Sequence, residues 1–243
     1  MDCNVDSTTA ELRKRGSKRA REGMARFALP SENALGVSVP DIRALAKRIG
    51  PNHSLALALW ETNIYEARML TAFVAEPERV TGAQMDRWCR DFDTWGICDA
   101  LCFHLFDRTP HAWSKVEQWS DVCQSGSDRE FVRRAAFALL ASLAIHDKNA
   151  PDAPFVEWLP LIERGATDDR NFVKKAVSWA LRGIGKRNRA LNTAALNLAR
   201  RLSTSENSAA RWIGKDALRD ITRPAVLRRL HARSELRTQP SPR

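Results

Sequence analysis

Apolar residues recur at three- and four-residue intervals along most of the chain, and sustained apolar/polar alternation is absent. That pattern predicts helices almost throughout. A very basic helix is expected from Thr8 to about Ala28, carrying Arg13, Lys14, Arg15, Lys18, Arg19 and Arg21. The segment PSENALGVSVP then reads as a connector, and Pro40 opens a helix through DIRALAKRI. Further helices are expected over 53–62, 64–76, 83–91, 95–107, 110–123, 128–146, 155–166, 170–185, 187–202, 206–221 and 223–232. The short connections suit antiparallel helix pairs, and TQPSPR reads as a frayed end. The organisation expected is a basic N-terminal region over 1–22, one helical-repeat domain over 23–232 and a flexible tail over 233–243.

The pattern also repeats. FVRRAAFALL at Phe131–Leu140 recurs as FVKKAVSWAL at Phe172–Leu181, a spacing of 41 residues. WALRGI at Trp179–Ile184 is echoed by DALRDI at Asp216–Ile221, 37 residues on. Two-helix units at such periods mark HEAT-like repeats, which bury their apolar faces only by stacking. The expected fold is therefore all-α: a HEAT-like helical-repeat solenoid of antiparallel helix pairs, curved, with a basic concave face. Arg133-Arg134 and Lys174-Lys175 occupy equivalent places, and Arg211 aligns with Lys174. Equivalent places in a solenoid share a face, so a row of cations suited to a phosphate backbone is expected.

Composition sharpens this picture. The chain has 243 residues, is 44% hydrophobic and carries a formal net charge of +10, which excludes full disorder and favours a polyanionic partner. Nucleic acid and an anionic membrane surface both fit that charge. No apolar run reaches the roughly 18 residues of a membrane span, and the first residues lack the apolar segment of a secretory signal. The five cysteines, Cys3, Cys89, Cys98, Cys102 and Cys123, do not read as a disulfide framework. A reducing, cytoplasmic setting is expected, with association with the nucleoid when bound to DNA.

Chemistry concentrates in RDFDTWGICDALCFHLF, Arg90–Phe106. Trp95 and Asp99 are i and i+4 on a helix and so share a face, which pairs an aromatic platform with a carboxylate. Arg134 and Trp179 lie on stretches expected to face the same concavity. Such a set suits a cationic group beside a phosphate, because aromatic faces attract cations and a carboxylate stabilises adjacent positive charge. From spacing alone, a core indole and a solvated or cap carboxylate are the more frequent account of such a pair. Cys98, Cys102 and His104 lack the paired spacing of a zinc site and read as core residues, so no metal is expected. His53, His111, His146 and His231 read as surface or cap residues. No phosphate-cradling Gly-rich loop or nucleophile elbow is present.

The stretches MARF (Met24–Phe27), ALGVSVPDIRALAK (Ala34–Lys47), RDFDTWGICD (Arg90–Asp99), FVRRAAF (Phe131–Phe137) and NFVKKAVSWALRGIGKRN (Asn171–Asn188) resemble, in order, those of the AlkD-like DNA alkylation repair glycosylases. The resemblance covers about residues 20–220. It implies a HEAT-like solenoid that excises N3- or N7-alkylated purines from double-stranded DNA without extruding the base into a pocket. It implies Asp99 as the catalytic carboxylate, with Trp95 and Trp179 against the lesion-bearing deoxyribose. It implies that Arg134 holds the backbone phosphate and that Arg182 also contacts DNA; Arg133, Phe172, Lys174, Lys175 and Arg211 join the DNA-binding set. No cofactor is implied, and a monomer is expected.

Three positions depart from the pattern. Phe27 stands where the characterised members have Tyr, Gly96 replaces an acidic residue, and Asn171-Phe172 replaces a double aromatic. Gly96 is expected to loosen the first turn of its helix. Two other readings remain beside the glycosylase: a non-catalytic binder of damaged or branched DNA, and a protein-interaction scaffold.

Overall fold

A computed structural model describes residues 4–29, 32–121 and 129–238, with side chains described as far as 232. Cys3, Cys123 and the last five residues of the expected tail lie outside the described residues. The chain divides into two compact units, Met1–Lys115 and Val116–Arg243. Among the described residues there are helices, turns and loops, and no strand.

In the first unit, α1 (Val5–Arg15) starts at a capping box: the Asn4 side chain accepts the Ser7 N–H at 2.8 Å, and the Ser7 hydroxyl accepts the Asn4 N–H. Its Leu12 is fully buried. The single basic helix expected from Thr8 to about Ala28 is in fact broken. Gly16 turns extended, α2 (Lys18–Gly23) restarts from the Ser17 cap, and a 3₁₀ turn (Met24–Phe27) follows. The physical reason is a close crossing with the connector. The Ser17 N–H donates to the Leu35 carbonyl at 3.1 Å. A Cβ on Gly16 would lie 2.7 Å from that same oxygen, and Gly36 (φ 78) would push one to 2.2 Å from the Ser17 carbonyl. Only glycine fits Gly36, where positive φ and close backbone approach coincide.

Beyond the connector come α3 (Val39–Ile49), α4 (His53–Glu61) and α5 (Tyr65–Val74). Helix α5 is the axis of the unit: seven of its ten residues are buried, Glu66 among them. The Glu66 carboxylate, 1% exposed, accepts the N–H groups of Leu35 (2.8 Å), Gly36 (2.7 Å) and Val37 (3.2 Å). One buried anion thus satisfies three loop donors that would otherwise be dry, and ties the connector to α5. Then follow α6 (Gly82–Arg90), α7 (Trp95–His104), a 3₁₀ turn (Phe106–Arg108) and α8 (Ala112–Ser120), within which the unit boundary falls. Trp60 and Trp88, with ring centroids 5.0 Å apart, meet Phe92 and Phe106 to form the aromatic core.

The second unit holds α9 (Glu130–His146), α10 (Ala153–Glu157), α11 (Leu159–Gly165), α12 (Asn171–Gly185), α13 (Arg189–Ser203), α14 (Ser208–Ile221) and α15 (Pro224–Thr238). The recurring segments lie on α9 and α12, which pack side by side, and α14 lies against α12 in turn. Small residues allow the approach: a Cβ on Gly183 would sit 3.3 Å from that of Ala144. Arg187 binds the carbonyls of Ala144 (3.0 Å), Asp147 (2.7 Å) and Ala150 (3.0 Å), closing the orphan end of α9.

Three further expectations need correcting. The single helix over 155–166 is two, broken at Trp158, because Pro160 bars a continuous backbone ladder there. The last helix runs to Thr238 rather than 232. His53 is buried at the start of α4, not on the surface, and its N–H donates to Glu76 at 3.0 Å. Burial, with Arg79 nearby, holds its imidazole below the usual range. Cys89, Cys98 and Cys102 are free and buried, as small core residues.

Glu66→Ala leaves three loop amides without an acceptor and should destabilise the protein by at least about 1–3 kcal/mol. Glu66→Gln, which keeps an acceptor, should lose less. Chemical denaturation of the three proteins checks the ranking.

Candidate nucleic-acid site

The 3₁₀ turn Met24–Phe27 ends at Ala28 in the left-handed conformation (φ 52) and sets the Phe27 ring on the surface, 66% exposed. The Phe27 carbonyl accepts the indole N–H of Trp95 at 2.8 Å. Trp95 opens α7, whose start is capped by Thr94: its hydroxyl accepts the Gly96 N–H at 3.2 Å. Asp99 follows one turn later on the same face, and both Trp95 and Asp99 are half-buried. The first unit therefore gathers Phe27, Trp95 and Asp99.

Sequence reasoning missed a fourth member, Tyr65. Its N–H donates to the Asn33 carbonyl at 2.9 Å, and its side chain reaches the first turn of α7. A Cβ on Gly96 would lie 2.3 Å from the Tyr65 Oη and 3.0 Å from the Leu29 Cδ2. Gly96 was expected to loosen this turn, yet α7 is regular across it; the glycine makes room for a phenol. The signals available in the sequence were that Tyr65 is the sole tyrosine and that a glycine follows Trp95.

The second unit carries the remaining candidates. Arg134 is 6% exposed in the α9–α12 seam, where it donates to the Phe172 carbonyl at 2.6 Å. Its guanidinium lies 6.0 Å from the Phe172 ring centroid. Phe172 in turn packs on Phe131 of the preceding repeat, with ring centroids 5.4 Å apart. The Glu130 carboxylate accepts the Phe172 N–H at 3.0 Å. Arg133 pairs with Asp168 at 2.9 Å, and Arg170 binds the same carboxylate at 2.6 Å. Lys174 stands 5.1 Å over the ring of Trp212, an exposed indole that sequence reasoning also passed over. Lys175 is exposed. Trp179 is half-buried on α12. Arg182, three residues on, lies between Asp216 (3.5 Å) and Asp220 (3.4 Å). Arg211 donates to the carbonyls of Ser205 (2.6 Å) and Glu206 (3.1 Å). The recurring cations thus also join repeat to repeat and helix to loop, and Lys175 projects most freely. Among the described residues no group of three or more His, Cys, Asp or Glu side chains is placed to hold a metal ion, and no helix is long and apolar enough to cross a membrane.

Residues 8–221 match the family described as DNA alkylation repair enzyme. The chain belongs to this family. A solved structure shares the fold of this DNA alkylation repair protein at a TM-score of 0.72 and 18% identity, over 89% of this chain and 94% of the other. That structure is described as a new family of proteins related to the HEAT-like repeat DNA glycosylases, with affinity for branched DNA structures. The all-α, HEAT-like class expected from the 41-residue recurrence is the class observed. No curated protein matches the sequence significantly.

Two predictions follow from the charges of this DNA alkylation repair protein. Lys175→Ala should lower the slope of log affinity for duplex DNA against log salt by about 0.9, the value of one lost phosphate contact, as read by fluorescence anisotropy at several salt concentrations. The second concerns acid. Burial of Asp168 favours its neutral form, but hydrogen bonds from Arg170 and the charges of Arg170 and Arg133 outweigh it and hold the carboxyl below its ordinary 3.8. A carboxyl with a lower pKa folded than unfolded contributes stability above its ordinary value and loses it as pH falls through the folded value. Asp168→Asn should therefore flatten the fall in melting temperature below about pH 4.

Proposed function

We propose that this protein is a DNA glycosylase that hydrolyses the N-glycosidic bond of cationic N3- or N7-alkylated purines in duplex DNA, without drawing the base into a pocket. The observation that carries the reading is the bond from the Trp95 indole to the Phe27 carbonyl, with Asp99 one turn along the same helix face. It fixes the plane of an indole beside a carboxylate and an exposed ring, the combination suited to a developing sugar cation.

The chemistry asks little of an acid. The alkylated purine already bears a positive charge. When the glycosidic bond breaks, its electron pair leaves with the base, which departs neutral. The positive charge passes to the sugar as an oxocarbenium-like species. Asp99 stabilises that charge and orients a water whose oxygen bonds to the anomeric carbon, and the water's proton is released. Trp95 adds cation–π stabilisation at the sugar. In the second unit Trp179 offers an indole and Arg134 a guanidinium for a backbone phosphate. Arg182, Arg133, Lys174, Lys175, Arg211, Phe27 and Phe172 contribute to DNA binding, and a monomer in the cytoplasm is the state in which this takes place.

A second reading is favoured by one observation each from sequence and fold. Phe27 lacks the hydroxyl of the characterised glycosylases, and the fold relative is described as having affinity for branched DNA. On that reading the protein binds damaged or branched DNA and releases no base.

The deciding experiment incubates the protein with methylated duplex DNA and detects free 7-methylguanine and 3-methyladenine by mass spectrometry. Wild type should release both, and Asp99→Asn should slow release by a factor of about 100–1000. Equal release by the two proteins removes Asp99 from the chemistry. Tight DNA binding with no release by either establishes the binder.

A further inference from the structure

Tyr65 has no part in the carboxylate-and-indole scheme above, yet it occupies a costly position. It is the sole tyrosine of the chain, and its hydroxyl displaces what would be a side chain on α7. Gly96 and Asp99 are i and i+3 on that helix and are therefore neighbours on its surface. A phenol oxygen standing 2.3 Å from where the Gly96 Cβ would be is thus held at the turn from which Asp99 projects. We infer that Tyr65 is a positioning residue for Asp99: its hydroxyl acts on the Asp99 carboxylate through one bridging water, and the missing side chain at Gly96 is the space that admits it.

Three features fit this assignment. Burial first, then the charges of Glu66, Asp93 and Asp99, push the phenol well above its usual range, so it keeps its proton at neutral pH and is a donor. Its backbone is anchored on both sides, by its own N–H to Asn33 and by the adjacent Glu66 clasping the connector. Such supporting bonds hold a reactive group in its productive geometry. Finally, residue 96 is a glycine, which gives the Tyr65 hydroxyl its place.

The inference rests on the glycosylase reading for its role in rate, and its test includes a readout that does not. In Tyr65→Phe, kcat for release of 7-methylguanine should fall about tenfold with KM for DNA unchanged. The acid limb of the kcat profile should move up by about one pH unit, because a carboxylate that loses a donor holds its proton more tightly. Carbon-13 titration of the aspartate side chains, with the Asp99 resonance assigned from Asp99→Asn, should show the same upward displacement without DNA. Gly96→Ala should lower the melting temperature of the wild type and lower it less in the Tyr65→Phe background, where the clashing oxygen is gone. If neither wild type nor Asp99→Asn releases base while the Asp99 titration still moves in Tyr65→Phe, the glycosylase reading fails and the positioning contact stands. If the Asp99 titration is the same in wild type and Tyr65→Phe, the positioning role is overturned whatever the release assay gives.

Discussion

The amide groups of Leu35, Gly36 and Val37 converge on a carboxylate that water barely reaches, and the geometry of the first unit depends on that convergence. A buried anion is tolerable only when its lone pairs are filled. Glu66 fills them with donors from a loop that has no secondary structure of its own, so loop and helix stabilise each other. The consequences reach the candidate site by a short route. The same connector crosses the chain at Gly16 and Ser17, which ends α1 and launches α2 and the turn bearing Phe27. The carbonyl of Phe27 then receives the Trp95 indole. Glu66 also fixes the first turn of α5, from which Tyr65 reaches α7.

How far the sequence foretells this depends on the range of the interaction. Helix periodicity is local, and most helices fall where the apolar spacing places them. The 41-residue recurrence was legible because stacked repeats need the same apolar frame, and α9 and α12 do pack along it. The break at Gly16 was half legible: Gly16 and Ser17 are a stop and a cap signal, but the close crossing that fixes the break there comes from the backbone of Leu35 and Gly36. The break at Trp158 was legible in the sequence, since Pro160 removes a donor from any helix continued across it. His53 was misplaced because a polar residue at a helix start reads as a cap, whereas the cap there is Asn52.

The recurring cations illustrate the same limit. A like-signed position repeated along stacked helices fits a phosphate-tracking row, and equally fits the bonds that join the repeats. Arg133 lies on Asp168, Arg134 on the Phe172 carbonyl, Arg182 between Asp216 and Asp220, and Arg211 on two carbonyls of its own preceding loop. These uses are compatible with a polyanion nearby. A guanidinium has five donors in a fixed fork, so bonds to the protein and to a phosphate can be shared among them. A cation fixed by such bonds loses less entropy on meeting a phosphate than a free lysine does. The recurrence thus sets geometry and charge together, and sequence alone does not apportion them.

The residues around α7 carry the argument one step further. Read singly, Phe27 is a lost hydroxyl, Gly96 a lost acid and a weak helix former, and Tyr65 an unremarked aromatic on another helix. In space Gly96 and Tyr65 are complementary: the absence of a side chain at 96 is the volume that the phenol fills.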